Sequence, residues 1–366
     1  MRAFAGTVDF PAELERRLAG KPIRLVDVGA QGGLEMPWSK IGSLLEVVGF
    51  EPQEEPFERL RQTAPPNVTY VNAALGDRRG EVTFHHMVGG SASSIYPPNA
   101  SFLDAFEQDE AHEVVETSVC AIETLDEALA GAGIRDVDFI KLDTQGSELP
   151  ILQGGPRTLE QFVFGIEVET ELNFVYEGQP LFSDVDAFLR RYDYELHDLA
   201  LRWWRRYSGR GLQDRGRGQV VWGDALYLKP PDLVVRHLEG MEQSRREGEL
   251  TKFVAICLLY GIGDYALELI GSGVVGDAPA RELAAIVRRY DELCASQLGV
   301  EYTFALPADL SARLHKFVRG TGARQSRRDP DWVARRAVRR WLDEHVPPTA
   351  SQRLRRFFAG ARSRAR

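Results

Sequence analysis

The first 230 residues alternate short β-rich runs with segments of helical periodicity. This alternation is typical of a parallel sheet whose strands are joined by crossover helices. We expect the last two strands to pair as an antiparallel hairpin at one edge, because only a short basic loop joins them. The chain is therefore predicted to be α/β, with a mostly parallel seven-stranded sheet. Its strands are predicted at residues 23–28, 46–50, 68–73, 137–143, 162–168, 193–199 and 219–228.

Three regions follow from changes in composition along the 366 residues. We expect the α/β domain to span residues 1–232, with two extra strands, "EVTFHHM" and "EVVETSVCAI", inserted after the third strand. Apolar residues then recur at helical spacing, which predicts a small all-α appendage at 233–320. Residues 321–366 form a basic C-terminal tail.

The stretch "LVDVGAQGG", residues 25–33, is an apolar strand that runs into a glycine loop. Such a loop leaves main-chain N–H groups free and admits a ligand close to the backbone. The dinucleotide pattern G-x-G-x-x-G is absent, because Gln31 stands where its second glycine would be. An NAD-dependent sugar-modifying enzyme is therefore disfavoured.

Two acids end the first two predicted strands. Asp27 lies beside the glycine loop, and Glu51 closes the run "LLEVVGFEP". A carboxylate at the second position can accept hydrogen bonds from both hydroxyls of a ribose. A ligand with a ribose and an ammonium suits both acids, and S-adenosylmethionine (SAM) has both groups.

The segment "VDFIKLDTQGSELPILQGG", residues 137–155, places Asp143 at the carboxyl end of a buried strand. Open α/β sheets bind their ligands at this edge. The strand "FVFGIEVET" brings Glu167 and Glu169 toward the same edge.

The chain resembles the FkbM-type SAM-dependent methyltransferases over about residues 20–230. The resemblance lies in "LVDVGAQGG", "VVGFEP", "NAALGD", "FIKLDTQGSELPILQGG", "GIEVE" and "DALYLK", in that order. Its most specific part is "IKLDTQGSE", in which Asp143, Gly146 and Glu148 match the family pattern and Gln145 replaces the usual glutamate. The resemblance implies a class I (Rossmann-like) methyltransferase fold, SAM as cofactor, and often O-methylation of a sugar or natural-product hydroxyl.

The resemblance also implies roles for individual residues. Asp143 would face the site of methyl transfer and contact the cofactor. The remaining cofactor contacts would be Asp27, Gly29, Ala30 and Gly32 at the methionine part of SAM, Glu51 and Pro52 at the ribose, and Asn72 and Ala73 at the adenine.

Methyl transfer to an alcohol needs positioning and a group that takes the proton. Asp143 is the first candidate base, His85 or His86 the second, and Glu167 a third. The insert "GGSASSIYPPN" contains small hydroxyl residues that could cover the bound cofactor. The predicted substrate and lid residues are Ser93, Ser94, Tyr96 and Glu148, and no ligand spacing indicates a metal site.

The charge is unevenly distributed. The net charge is −9, yet residues 311–366 hold 16 Lys and Arg against 4 Asp and Glu. In the tail, Leu354, Phe357, Phe358 and Ala361 would form one apolar stripe on a helix among arginines, which is typical of a membrane-surface anchor. The alternative is that the tail is disordered or folds onto the acidic body of its own or a neighbouring chain.

Few, widely spaced cysteines and a start without an apolar signal region predict a cytoplasmic protein, with peripheral contact to an anionic inner membrane through the tail. The expected partners are a hydroxylated small molecule or glycan and a second copy of the chain, with no nucleic acid, since the body is acidic. The alternative function is a non-catalytic SAM-binding scaffold of a biosynthetic complex.

Overall fold

The computed structural model describes residues 8–106, 110–209 and 218–297. Its main sheet has seven strands in the order β3-β2-β1-β7-β8-β10-β9. The predicted fold class is confirmed: β1, β2, β3, β7 and β8 pair in parallel, and the β10–β9 hairpin is antiparallel at one edge. The strands are β1 Ile23–Val28, β2 Leu45–Phe50, β3 Val68–Val71, β7 Phe139–Leu142, β8 Gly165–Glu171, β9 Glu195–Trp204 and β10 Gln219–Leu228.

The central strands are buried on both faces. All four residues of β7 and all seven of β8 are buried. Parallel strands covered by helices on both sides have this pattern, and they read as nearly continuous apolar runs. The charged residues within these runs therefore need partners inside the protein.

The insert predicted after the third strand forms a sheet of its own. It contains β4 Ala74–Gly76, β5 Gly80–Met87 and β6 Val114–Thr124, in the order β4-β6-β5. The segment between β5 and β6 returns over the carboxyl edge of the main sheet, where Ser94 pairs with His85 and Pro98 with Tyr176. The insert thus lies next to the end of β8.

Helices cover both faces of the main sheet. Those of the α/β region are α1 Ala12–Leu18, α2 Glu54–Thr63, α3 Ala100–Leu103, α4 Leu125–Gly131, α5 Glu148–Gln153, α6 Pro156–Glu160 and α7 Phe182–Leu189. The predicted helical appendage contains α8 Pro231–Glu239, α9 Gln243–Tyr260, α10 Gly263–Gly271 and α11 Asp277–Gln297.

The appendage shares one apolar core with the sheet. Phe253 of α9 stacks on Phe164 at 4.5 Å between ring centroids, and Leu250 and Ile256 belong to the same cluster as Leu25 of β1. The compact unit that contains the sheet extends to residue 298. The boundary at residue 233 remains a prediction, and the tail at 321–366 lies outside the described residues.

Within the described ranges, none of the helices combines the length and the apolar character needed to cross a membrane.

Candidate functional site

The glycine loop after β1 is folded against two neighbouring strand ends. The main-chain N–H groups of Gly29 and Ala30 both donate to the carbonyl oxygen of Phe50, at 3.0 Å each. Gly29 has a φ of +84°, and a Cβ at this position would lie 1.9 Å from the carbonyl oxygen of Asp143. Glycine is therefore required here, and it lets the loops after β1 and β7 touch.

A cavity of about 330 Å³ opens at the carboxyl edge of the sheet. Its walls are the glycine loop, the end of β2, the insert and the loop after β7. Of the predicted site residues, it brings together Gly29, Gly32, Glu51, Pro52, Ala73, Ser93 and Asp143. Those outside its lining are Asp27, Ala30, Asn72, His85, Ser94, Tyr96, Glu148 and Glu167.

A buried lysine connects two of the predicted acids. Lys141 Nζ lies 3.5 Å from Asp27 Oδ1 and 3.6 Å from Asp143 Oδ2, and it lines the cavity. Burial acts to lower the pKa of Lys141, but Asp27, Asp143 and Glu167 raise it, so the ammonium stays charged. Burial raises the pKa of Asp27, and Lys141 opposes that shift. Asp27 therefore lies behind the residues that line the cavity and does not line it itself.

Glu51 lies at the end of β2 and is only 2% exposed. Its Oε1 accepts a hydrogen bond of 2.8 Å from the main-chain N–H of Gln53, and burial raises its pKa to about 7. Asn72 Nδ2 donates to the carbonyl oxygens of Glu51 and Pro52, at 3.0 and 3.2 Å. Asn72 thus holds the backbone that carries Glu51.

Glu148 folds the loop after β7. Its Oε1 accepts hydrogen bonds from the main-chain N–H and the hydroxyl of Thr144, at 2.7 and 2.9 Å, and its Oε2 accepts one of 3.0 Å from the N–H of Gly146. These contacts assign Glu148 to the loop itself, and its predicted part in substrate binding is not tested.

Gln145 joins two carboxylates. Its Nε2 donates to Asp143 Oδ1 at 3.2 Å and to Glu169 Oε1, and its Oε1 accepts from the hydroxyl of Tyr176 at 2.9 Å. Burial and then the charge of Asp143 raise the pKa of Glu169 well above its ordinary value. A neutral amide at position 145 therefore separates groups that would repel one another.

The insert closes over the cavity and is tied to this loop. Ser94 Oγ donates to the carbonyl oxygen of Gln145 at 2.7 Å and accepts from the N–H of Tyr96 at 3.0 Å. Ser93 Oγ accepts from the N–H of Met87 at 3.1 Å. Ser93 thus lines the cavity, whereas Ser94 and Tyr96 belong to the surrounding fold.

Three of the candidate bases, His85, His86 and Glu167, do not line the cavity. Phe84 lines the cavity, and successive strand residues point to opposite faces, so the side chain of His85 is directed away from it. His86 Nε2 lies 2.8 Å from Ser118 Oγ on β6. Glu167 Oε2 accepts a hydrogen bond of 2.7 Å from the hydroxyl of Tyr260. The catalytic roles assigned to His85 and Glu167 stay predictions without support from this geometry.

Residues 27–196 match the family model described as the Methyltransferase FkbM domain. The chain carries an FkbM methyltransferase domain. The FkbM domain therefore spans the glycine loop, the insert and the loop after β7, as the resemblance in the sequence predicted. It ends before the helical appendage begins.

The chain is also similar to individual methyltransferases. The chain is 26% identical over 169 residues to the 2-O-methyltransferase NoeI of Sinorhizobium fredii, covering 44% of this chain and 69% of the relative. A methyltransferase FkbM structure from Methylobacillus flagellatus is 18% identical with a TM-score of 0.33, over 57% of this chain and 43% of that one. A magnesium protoporphyrin IX methyltransferase from Synechocystis with bound SAM is 9% identical with a TM-score of 0.30, over 60% and 77%.

The residues at the cavity fit SAM, the cofactor of this methyltransferase. Gly29, Gly32 and Gly33 of the glycine loop bring main chain to the cavity wall, and Glu51 provides a buried carboxylate for the ribose hydroxyls. Asp143 lines the remaining wall and Asp27 lies behind it, so two acids stand against the single ammonium of Lys141 where the ammonium and the sulfonium of SAM would lie. Among the described residues, no cluster of three or more His, Cys, Asp or Glu is placed to hold a metal ion.

The sequence did not predict the roles of three residues at the site. They are the buried Lys141, Gln145 as the link between the carboxylates of Asp143 and Glu169, and Tyr260. The first two lie within the motif "IKLDTQGSE", and a lysine inside an apolar strand was a signal that it has buried partners. Tyr260 had no such signal, because it is the last residue of an apolar helix far along the chain.

Proposed function

We propose that this methyltransferase transfers the methyl group to a hydroxyl of a sugar, a glycan or another polyhydroxylated acceptor. The observation that carries the proposal is the carboxylate of Asp143, which is 31% exposed and lines the cavity. The similarity to a 2-O-methyltransferase supports an oxygen acceptor.

Asp143 is suited to hold the proton of an acceptor hydroxyl. Bound SAM supplies an electrophilic methyl group, so the protein needs only to orient the hydroxyl and accept its proton. Lys141 and Gln145 fix the two oxygens of Asp143 by contacts of 3.6 and 3.2 Å. Ser93 of the insert lines the same cavity.

The test is methyl transfer by the purified full chain to a panel of hydroxylated glycans and small polyols. Formation of S-adenosylhomocysteine together with a mass increase of one methyl group on an acceptor oxygen is expected. Methylation on nitrogen or carbon, or S-adenosylhomocysteine formation that no hydroxylated compound stimulates, would contradict the proposal.

We also propose that the basic tail brings the enzyme to an anionic membrane surface, near a lipid-linked acceptor. The apolar stripe that contains Phe357 and Phe358 among arginines supports this. These residues lie outside those that the structure describes, so the proposal depends on sequence pattern alone.

A further inference from the structure

The helical appendage reaches the polar network beneath the cofactor cavity through one side chain. Tyr260 is the last residue of α9, and its hydroxyl donates a hydrogen bond of 2.7 Å to Glu167 Oε2. Trp38 Nε1 donates to the same hydroxyl at 3.0 Å. Tyr260 lies outside the residues matched by the FkbM family model.

Glu167 connects this hydroxyl to the cavity. It is paired in register with Lys141 across the β7–β8 ladder, and its negative charge is one of those that act on the ammonium of Lys141. Lys141 in turn contacts Asp27 and Asp143 at 3.5 and 3.6 Å. A row of polar side chains therefore runs from Tyr260 through Glu167 and its neighbour across the ladder, Lys141, to the cavity wall.

The ring of Tyr260 is held by packing that does not involve its hydroxyl. It stacks on Phe139 with 5.4 Å between centroids, and the edge of Trp38 packs against it at 6.0 Å. Trp38 also packs on Phe139 at 4.9 Å. Replacement by phenylalanine therefore removes the hydrogen bonds and keeps most of the apolar contacts.

We propose that Tyr260 is a positioning residue that acts through Glu167 on Lys141, and so tunes the pocket for the positively charged sulfonium of SAM. A hydroxyl that donates to a carboxylate holds that carboxylate in one orientation. The Glu167 carboxylate, held beside Lys141 across the ladder, offsets part of the charge of Lys141, which leaves the acids Asp27 and Asp143 to attract a cationic ligand. S-adenosylhomocysteine has a neutral sulfur and lacks this attraction.

Calorimetry of the full chain without an acceptor tests this inference, which rests on the cofactor and not on the proposed acceptor. For Tyr260→Phe we expect the Kd of SAM to rise about fivefold, less than the roughly tenfold or greater loss from a direct hydrogen bond to a charged group, because the hydroxyl acts through Glu167 and Lys141. The Kd of S-adenosylhomocysteine should rise less than about twofold. The SAM preference, which is the Kd of S-adenosylhomocysteine divided by the Kd of SAM, should therefore fall.

Tyr265→Phe is the matched control. Tyr265 lies on α10 of the same appendage, and its buried hydroxyl donates to the carbonyl oxygen of Lys229, away from the cavity. Its loss should cost stability and leave both Kd values unchanged. Equal effects of the two substitutions on the SAM preference would show a merely structural role and overturn the proposal.

Glu167→Gln supplies a second test that does not depend on the folding of the Tyr260 variant. It should also lower the SAM preference, and the double variant Tyr260→Phe/Glu167→Gln should be no worse than Glu167→Gln alone, because both changes act through one carboxylate. An unchanged preference in Glu167→Gln, or additive losses in the double variant, would overturn the proposal.

Discussion

Gly29 packs against the main chain of Asp143 so closely that a Cβ on Gly29 would lie 1.9 Å from the Asp143 carbonyl oxygen. The two residues directly follow the adjacent parallel strands β1 and β7. Their contact fixes the spacing between the glycine loop and the carboxylate proposed to receive the acceptor proton. The cofactor and acceptor halves of the site therefore depend on one main-chain contact.

Gly29→Ala should destabilise the protein and abolish measurable SAM binding. The new Cβ meets backbone, which cannot yield as a flexible side chain can, and the φ of +84° is strained for alanine. We expect a loss of about 2–4 kcal/mol in the free energy of unfolding, measured with urea. Gly131→Ala is the control, because a Cβ there meets no atom within 4 Å; equal losses in both variants would contradict this prediction.

Glu51→Ala should weaken SAM binding by roughly 1.5–3 kcal/mol, the scale of a lost charged hydrogen-bond pair. The carboxylate is placed at the end of β2 on the cavity wall, where a ribose would lie. Calorimetry on the folded variant measures this loss. An unchanged Kd would remove the ribose assignment.

Glu51→Gln should stabilise the ligand-free protein above neutral pH. The folded pKa is raised by burial to about 7, so the native state holds a proton that the unfolded chain releases near the ordinary value of 4.5. Wild-type stability therefore falls as pH rises between these values, whereas glutamine cannot ionise. In thermal unfolding at pH 8, the Tm of the variant should exceed that of the wild type, and this difference should shrink toward pH 5. An equal difference in Tm at both pH values would show that ionisation is not the cause.

Asp143→Asn should lower turnover by about 100-fold or more, the range attributed to general base catalysis. Glu169→Gln should lower it by less than about 10-fold, because Glu169 lies behind Gln145 and does not line the cavity. The comparison needs kcat with the acceptor found in the panel, and SAM affinity for each variant as a control on binding. Similar losses in both variants would reject Asp143 as the favoured base.

Gln145→Glu should make stability strongly pH-dependent. The amide now donates to both Asp143 and Glu169, and a carboxylate would replace both donors with repulsion. The new group should have a raised pKa, so the variant should lose stability as pH rises from about 5 to 8. Gln153→Glu, at an exposed position at the end of α5, is the comparison; parallel melting curves for the two variants would contradict the prediction.

Truncation at Pro348 should abolish binding to anionic vesicles at low salt, if the tail is a surface anchor. Flotation of the full chain with phosphatidylserine-containing liposomes measures the binding, and added salt should weaken it because exposed charges are screened. A full chain that stays with the unbound fraction, or a truncated one that floats equally well, would exclude the anchor.

The sequence by itself determined the seven-stranded sheet, the position of the glycine loop and the acids at the strand ends. These features are local: an apolar run with strand period, a glycine that tolerates positive φ at residue 29, and an acid such as Glu51 next to each run. Because parallel strands align their carboxyl ends, residues far apart in the chain could be assigned to one edge.

Only the tertiary structure decided which of these residues work together. Glu167 and Glu169 share one face of β8, yet the first faces Tyr260 and the second faces Gln145. His85 lies within an inserted strand whose neighbouring residue, Phe84, takes the cavity side. Strand register, side-chain direction and the docking of α9 depend on contacts between distant residues, 93 positions apart for Glu167 and Tyr260 and 222 for Trp38 and Tyr260. No local sequence pattern encodes what lies opposite a buried charge.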